Sequence, residues 1–216
     1  MDFRFVWEHL PDLMEGAKNT ILISLILLVL VNLIGIVGAL ARISRVKPLR
    51  WLMIAYVEIA RNVPELVHIY FVFFALPSLG WKLDTFTSGV VAMAFFGGGY
   101  FIEVYRSGLE AVPKVQLEAA ASLALDGYQR MRYVIFPQAI RICLPALSGY
   151  FLYLVRATSM LAAIGLGELT FTSLDLIAQY FHAFELFFAV AVIYLLLVWI
   201  LSYLLRLLER KWAYDV

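Results

Sequence analysis

The sequence predicts an all-α integral membrane protein with about five transmembrane helices, and three observations support that fold class. Hydrophobic residues make up 63% of the 216 positions and charged residues only 15%, whereas soluble domains carry about 25% charged residues. Several apolar runs approach or exceed the roughly 20 residues that a helix needs to cross a bilayer. Lys and Arg collect in alternate connecting segments, which is the pattern of a multi-pass membrane protein.

Five segments are predicted to cross the membrane. Their ranges are 21–41, 64–81, 85–102, 142–167 and 186–205. Three of them contain no charged residue, the fourth in chain order contains only Arg156, and the second, which is shorter, contains Glu65 and His68. Because the chain has neither an internal repeat nor a linker, we expect one transmembrane domain.

The distribution of basic residues predicts which side of the membrane each connection faces. The segments 42–50 and 106–141 and the C-terminal tail together hold twelve Lys and Arg residues. The connections on the other side hold only Arg4, Lys18 and Lys82. Because cytoplasmic connections carry the excess of positive charge, we expect an outside N-terminus, a cytoplasmic C-terminus and an odd number of spans.

Residues 1–17 are predicted to form a separate outer-side segment ahead of the transmembrane domain, which covers 18–212. Their polar and acidic character is unlike that of a signal peptide, so we expect them to remain in the mature chain. The near-helical spacing of Phe3, Trp7 and Met14 predicts an amphipathic helix along the outer membrane surface, where it would stabilise a dimer.

The connection 106–141 is long enough to hold structure of its own. Residues 115–136 are rich in strong helix formers and contain no proline, whereas Pro113 precedes them and Pro137 follows. Since proline starts, breaks or kinks helices, we expect a short helical hairpin that projects into the cytoplasm between the third and fourth spans.

Several classes of function are disfavoured by what the sequence lacks. The single cysteine, Cys143, allows neither an internal disulfide nor a Cys-rich metal cluster, and the three histidines are far apart, so we expect no metal site. A net charge of +1 gives no argument for nucleic-acid binding. We expect no enzymatic activity, because the chain has no G-x-x-x-x-G-K-[ST] phosphate-binding loop and no arguable Ser–His–Asp set.

The most informative stretch is 117–147, which reads LEAAASLALDGYQRMRYVIFPQAIRICLPAL. It resembles the EAA loop of permease subunits in binding-protein-dependent ABC importers, and in particular the polar amino-acid branch of that family. Three further segments resemble that family in the right order: 56–64 (YVEIARNVP), 103–108 (EVYRSG) and 156–169 (RATSMLAAIGLGEL). The resemblance covers roughly residues 18–212 and implies a type I ABC importer permease fold with a cytoplasmic coupling-helix hairpin.

Three positions depart from the pattern of the family. Ala124 stands where the loop glycine is usual, Asn62-Val63 replaces Gly-Thr before Pro64, and Ala157 replaces the usual acid after the basic residue. A left-handed turn at Ala124 would be strained, because only glycine adopts that conformation without steric cost. The departures favour a complex of two different permease chains, and a homodimer stays open.

The resemblance implies a coupling helix that carries ATP-driven movement of a separate ATPase to the membrane helices. Its residues in this chain are Glu118, Ala119, Ala120, Ala121 and Ala124. Small side chains allow such a helix to approach a groove of the partner closely, and Glu118 can pair with a basic residue there. The alternative is that this run is simply a helix of high intrinsic propensity.

Charged and polar residues in or beside the apolar runs are candidates for a substrate path. They are Glu58, Arg61, Asn62, Pro64, Glu103, Arg106, Arg156, Thr158 and Ser159. A charge inside a span is costly and is a functional-site hypothesis by default. The guanidinium of Arg156 suits a substrate carboxylate, and the two neighbouring hydroxyls could bind substrate or a neighbouring helix. The alternative is that Arg156 snorkels to the interface or pairs with an acid.

Four of these candidates form two pairs of opposite charge at i,i+3 spacing. Glu58 and Arg61 can meet on one helix face, and so can Glu103 and Arg106. The favoured interpretation of both is an ion pair at the membrane boundary. The run from Asn62 to Pro64 is expected to break a helix, and such breaks in transporters often line the substrate path.

The expected function is inward translocation of a polar amino acid by alternating access. The resemblance implies a second permease chain, two ATPase subunits that bind ATP and Mg, and an extracytoplasmic substrate-binding protein, with no cofactor in this chain. It also implies location in the bacterial cytoplasmic (inner) membrane. The alternative is a non-transporting scaffold or sensor subunit. An intramembrane enzyme is disfavoured, since no paired acids or Ser/His set occurs at one depth.

Overall fold

Nine helices joined by short turns account for residues 3–213, the part of the chain that the computed structural model describes. Residues 1 and 2 of the predicted outer segment lie outside the described residues. The bounds are α1 Phe3–Glu8, α2 Leu10–Ile43, α3 Lys47–Asn62, α4 Glu65–Leu79, α5 Thr85–Glu110, α6 Lys114–Ser122, α7 Gly127–Ile164, α8 Leu169–Tyr180 and α9 Ala183–Ala213.

The predicted all-α membrane fold with about five spans is confirmed. Four helices are long and apolar enough to cross a membrane, namely α2, α5, α7 and α9. Helices α3 and α4 meet at an angle of 108°, and together they are long and apolar enough to form one broken span, which brings the number of spans to five. The sequence predicted only the second half of this span, because α3 carries four charged side chains and does not read as an apolar run.

The break in the second span falls at the predicted position. Helix α3 ends at Asn62, and Val63 adopts an extended backbone with φ −94° and ψ 134°, as expected for a residue that precedes proline. Pro137 lies in the first turn of the α-helical stretch Phe136–Ala157, as expected of a proline that starts a helix, and Pro145 lies inside that stretch, so α7 continues through both. A wider π turn at Met131–Ile135 directly precedes Pro137 and accommodates it.

The predicted limit between residues 17 and 18 falls inside α2, so the outer segment and the first span share one continuous helix. Trp7 and Met14 are exposed, whereas Phe5 and Leu13 are buried against the rest of the chain. A Cβ added to Gly16 would lie 2.9 Å from the Leu169 Cα, so α2 and α8 pack backbone to backbone there.

Helix α5 lies at the centre of the molecule and packs against α2, α3, α4 and α7. The glycines at 97–99 allow this close approach. An added Cβ would lie 2.8 Å from Val31 Cγ1 at Gly97, 2.5 Å from the Tyr56 hydroxyl at Gly98 and 2.5 Å from Ala60 Cβ at Gly99. Small residues of this kind allow membrane helices to pack at short distance, and here they position α3 beside the polar residues of α5.

Candidate functional site

The predicted helical hairpin is present, and both of its ends are fixed by hydrogen bonds. Helix α6 ends in a left-handed turn in which the Leu125 N–H donates to the Ala120 carbonyl at 3.2 Å. Ala124 takes a φ of +54° in this turn, so alanine occupies the left-handed conformation that glycine usually supplies. Asp126 and Gln129 then form a reciprocal capping box that starts α7, with N···O distances of 2.8 and 3.0 Å.

The hairpin exposes both apolar side chains and a carboxylate. Glu118, Ala119, Ala121 and Ala124 are exposed, and Leu123 beside them is 75% exposed. Ala120 differs, since it is only 3% exposed and packs against its own chain. An apolar surface next to a free carboxylate is typical of a protein contact, and Ala120 supports the helix from behind instead of forming part of that contact.

A polar cluster occupies the face where α3 meets α5. The Arg61 guanidinium lies 5.2 Å from the centroid of the Tyr100 ring, a cation–π geometry. Arg61 and Tyr100 line a cleft of about 190 Å³ together with Glu58 and Asn62. The Asn62 amide donates to the Glu58 carboxylate at 2.8 Å, and within the described residues this bond replaces the ion pair expected between Glu58 and Arg61.

The cluster extends from this cleft to α4 and α7. The Tyr153 hydroxyl donates to the Glu65 carboxylate at 2.5 Å, and the Phe96 ring contacts the rings of both Tyr100 and Tyr153, at 5.1 and 6.2 Å. Arg156 is exposed and lies one helical turn beyond Tyr153. We refer to Glu58, Arg61, Asn62, Glu65, Tyr100, Tyr153 and Arg156 as the open cluster.

The remaining predicted path residues are placed differently. Pro64 is exposed and marks the break between α3 and α4. Ser159 is half-buried and donates to the Arg156 carbonyl at 2.8 Å. Thr158 is fully buried and donates to the Val155 carbonyl at 2.7 Å. The structure therefore does not bring the Thr158 hydroxyl to the open cluster.

Glu103 and Arg106 belong to a chain of ion pairs at the C-terminal ends of α2 and α5. Glu103 lies 2.8 Å from Arg42 and 2.8 Å from Arg106, and Arg106 lies 2.5 Å from Glu110. The predicted boundary ion pair between Glu103 and Arg106 is thus confirmed, with Arg42 as an additional partner. These contacts join α2 to α5 one turn beyond Tyr100.

A second group of polar side chains surrounds Glu168, which is fully buried at the start of α8. Its carboxylate accepts from the Phe171 N–H at 2.8 Å, the Thr170 N–H at 3.0 Å and the Tyr194 hydroxyl at 2.8 Å. Burial raises the pKa of this carboxyl, which lies between the spans α7 and α9. We refer to Glu168, Thr170 and Tyr194 as the closed cluster.

Sequence reasoning missed three members of the open cluster: Glu65, Tyr100 and Tyr153. A signal existed for two of them, because Glu65 interrupts an apolar run and Tyr153 precedes Arg156 by one helical turn. Tyr100 gave no local signal, since its role depends on the approach of α3. Within the described residues, no group of three or more His, Cys, Asp or Glu side chains could hold a metal ion.

Comparisons with known proteins agree with this geometry. The family model for the binding-protein-dependent transport system inner membrane component matches residues 31–214. The glutamine transport system permease protein GlnP of Escherichia coli strain K12 is 35% identical over 212 residues, which are 97% of each chain. The arginine transport system permease protein ArtQ of Bacillus subtilis is 29% identical, and the match covers 98% of this chain and 97% of ArtQ.

Solved structures give the same result at the level of the fold. An amino acid ABC transporter crystallised with histidines superimposes with a TM-score of 0.92 at 32% identity, covering 98% of this chain and 99% of its own. An inward-facing MetNI methionine ABC transporter shares the fold, with a TM-score of 0.72 at 18% identity. The match covers 98% of this chain and 99% of that one. This chain therefore belongs to the family of binding-protein-dependent transport system inner membrane components.

Proposed function

We propose that this chain is the translocation subunit of an ATP-driven importer that carries an amino acid inward by alternating access. The observation that carries the proposal is the rigid hairpin of α6 and the start of α7, with Glu118, Ala119 and Ala121 exposed on one helix. The family membership supports it, as do relatives named for glutamine and arginine transport.

The hairpin is suited to transmit movement because it is short, its turn is fixed by hydrogen bonds at the end of α6 and the start of α7, and it is continuous with a span. Helix α7 runs from Gly127 at the hairpin to Ile164, so a push on α6 is delivered directly to the helix that carries Tyr153 and Arg156. Coupling requires that the partner contacts α6 differently in its different states. Glu118 and the small side chains beside it supply a contact of that kind.

The open cluster is suited to a free amino acid. Its arginines, Arg61 and Arg156, offer the forked donors that carboxylates prefer. Its carboxylates, Glu58 and Glu65, and the ring of Tyr100 offer sites for an ammonium group. Four helices contribute to it, so a relative movement of these helices would change the affinity of the cluster for its ligand.

The importer we propose contains partners in addition to this chain. A second permease chain completes the path, and two ATPase subunits bind ATP and Mg, whose hydrolysis supplies the energy. An extracytoplasmic binding protein delivers the substrate. We propose that the chain lies in the bacterial cytoplasmic membrane with its N-terminus outside and its C-terminus in the cytoplasm, because segments 42–50 and 106–141 and the C-terminal tail hold twelve of its Lys and Arg residues and cytoplasmic connections carry the excess of positive charge.

Uptake into proteoliposomes tests the proposal. The chain is reconstituted with the second permease chain and the ATPase, and the amino acids are screened one at a time in the presence of the binding protein. We expect accumulation of one or a few amino acids that depends on internal ATP. ATP hydrolysis without accumulation of any amino acid would instead support the non-transporting scaffold or sensor.

Cysteine labelling tests the orientation separately. Single cysteines replace Lys82, Ser122, Asp175 and Lys211 in a Cys143→Ser background, since all four are exposed and Cys143 is buried. An impermeant reagent added outside should label positions 82 and 175 and leave 122 and 211 unlabelled until the membrane is permeabilised. Labelling of 122 from outside would contradict the orientation.

A further inference from the structure

The side of the molecule formed by α2, α3 and α5 carries an apolar groove that the transport path does not use. Its volume is about 610 Å³, and its lining includes Leu30, Ile34 and Ala41 of α2 and Leu49 and Met53 of α3. Val37, another lining residue, is 67% exposed, so the groove opens to the surrounding bilayer. No charged residue lines it.

The groove extends over about one leaflet of a membrane. Its lining on α2 runs from Leu30 to Ala41, a rise of about 16 Å at 1.5 Å per residue. The hydrocarbon core of a bilayer is about 30 Å thick. Because Arg42 follows directly after Ala41, the groove ends at the charged boundary and begins near the middle of the membrane, which is the extent of one acyl chain.

A basic cleft of about 440 Å³ adjoins the groove at that boundary. Arg42, Arg50 and Arg106 line it together with one carboxylate, Glu110. Arg106 is paired with Glu110 and Glu103, and Arg42 is also paired with Glu103, so among residues 3–213 Arg50 is the arginine of the cleft that has no acid paired with it. Consecutive residues join the two features, because Ala41 and Leu49 line the groove whereas their neighbours Arg42 and Arg50 line the cleft. Trp51, also in the cleft lining, is 62% exposed, as is usual for tryptophan at the headgroup level.

Donor groups at this boundary are left without acceptors. Within the described residues, the buried Arg42 Nη1 and the buried Ser44 hydroxyl have no hydrogen-bond partner, and Arg50 forms no ion pair. Residues 42–57 contain four Lys or Arg residues and no Asp or Glu. Of these groups, Arg42 and Arg50 line the cleft, and guanidinium donors that are not fully engaged suit an anion with oxygen acceptors.

We propose that this surface binds one anionic phospholipid of the leaflet on the basic side, with its phosphate in the cleft at Arg42 and Arg50 and an acyl chain in the groove. The lipid ties α3, the first half of the broken span, to α2 and α5. This inference requires only that the chain lies in a bilayer, so it stands or fails separately from the transport activity.

Native mass spectrometry of the full-length chain purified with its ATPase tests the site. Phosphatidylglycerol and phosphatidylcholine are added at equal concentration, and the bound copies are counted after collisional removal of loose lipid. We expect one retained phosphatidylglycerol per chain. Arg50→Gln should weaken its retention about fivefold, since one basic residue near the surface contributes about 1 kcal/mol. Val37→Trp should abolish retention by filling the groove.

Two matched variants serve as controls. Leu33→Trp adds the same bulk to an exposed position of α2 that does not line the groove, and Arg206→Gln removes an exposed charge of the basic tail. Both should retain the lipid. Equal retention of the two lipids, or equal losses in Arg50→Gln and Arg206→Gln, would overturn the proposal. So would an efficient cross-link from Val37→Cys, in the Cys143→Ser background, to another protein chain.

Discussion

The closed cluster of α8 and α9 and the open cluster of α3, α4, α5 and α7 both place polar side chains among apolar helices, but they differ in burial and in hydrogen-bond partners. Glu168 is fully buried and accepts from three donors of α8 and α9. Arg61 and Arg156 are exposed, and Arg61 faces an aromatic ring instead of an acid. The carboxylate of the closed cluster is thus held by buried donors of its own chain, whereas the arginines of the open cluster keep donors that face outward.

From this difference we expect a structural role for the closed cluster and a functional role for the open cluster. A buried carboxylate that accepts three hydrogen bonds fixes the start of α8 and its contact with α9, and its removal leaves buried donors unpaired. Exposed arginines beside a cleft remain available for a ligand. Arg156 and Glu168 are separated by only twelve positions in the sequence. Their different exposure therefore results from how the helices pack and not from distance along the chain.

The largest effect is expected for Glu168→Ala. The substitution leaves the Tyr194 hydroxyl and two backbone N–H groups without an acceptor, so it should lower the free energy of unfolding by about 2–4 kcal/mol. The measurement is the thermal unfolding midpoint of the purified protein, together with its yield in the membrane. Asp175→Ala on the same helix is the control, because that exposed carboxylate contacts only Gln179. Normal stability combined with lost transport would show that Glu168 acts in transport and not in holding the fold.

Arg156→Ala should have the opposite pattern. Uptake should fall at least tenfold, because a carboxylate contact of about 1.5–3 kcal/mol is lost, while the unfolding midpoint stays within the range of the unmodified protein. Arg156→Lys should retain part of the uptake if only the charge matters, and should lose it if both guanidinium donors are needed. Unchanged uptake in Arg156→Ala would show that this side chain merely snorkels to the interface.

The smallest effect is expected at Ala124, which lies outside both clusters. Its φ of +54° costs an L-residue about 1–2 kcal/mol, and Ala124→Gly relieves that cost while adding freedom to the unfolded chain. The net result should be a gain of about 0.5–1 kcal/mol in unfolding free energy. Ala119→Gly, in the interior of α6, should lose about 1 kcal/mol. Equal shifts in the two variants would contradict the left-handed turn.

Much of the fold was predictable because it depends on local signals. Apolar runs placed the spans, Pro64 placed the break after Asn62, and Pro113 placed the start of α6. Helix α3 was missed as part of a span, since its charges obscure its apolar face. The burial of Ala120 was missed for a related reason, because helical spacing alone does not say which face of α6 meets the rest of the chain.

The open cluster was only partly predictable. Arg61, Asn62 and Arg156 were found from their positions in or beside apolar runs, but Thr158 was grouped with them on sequence proximity and is fully buried. Tyr100 joins Arg61 only because Gly99 allows Ala60 of α3 to approach α5 closely. Such long-range contacts depend on how helices pack, which the spacing of residues along one helix does not determine.

We propose that the hairpin carries the state of an ATPase to the membrane helices. Binding-protein-stimulated ATP hydrolysis in the reconstituted complex measures this coupling. Glu118→Ala and Ala121→Trp alter exposed positions of α6, and Asp175→Ala and Ala178→Trp make the same changes at exposed positions of α8. The α6 pair should bind the ATPase more weakly or lose the stimulation by loaded binding protein, whereas the α8 pair should keep both. Normal ATPase binding with normal stimulation in both α6 variants would contradict the account.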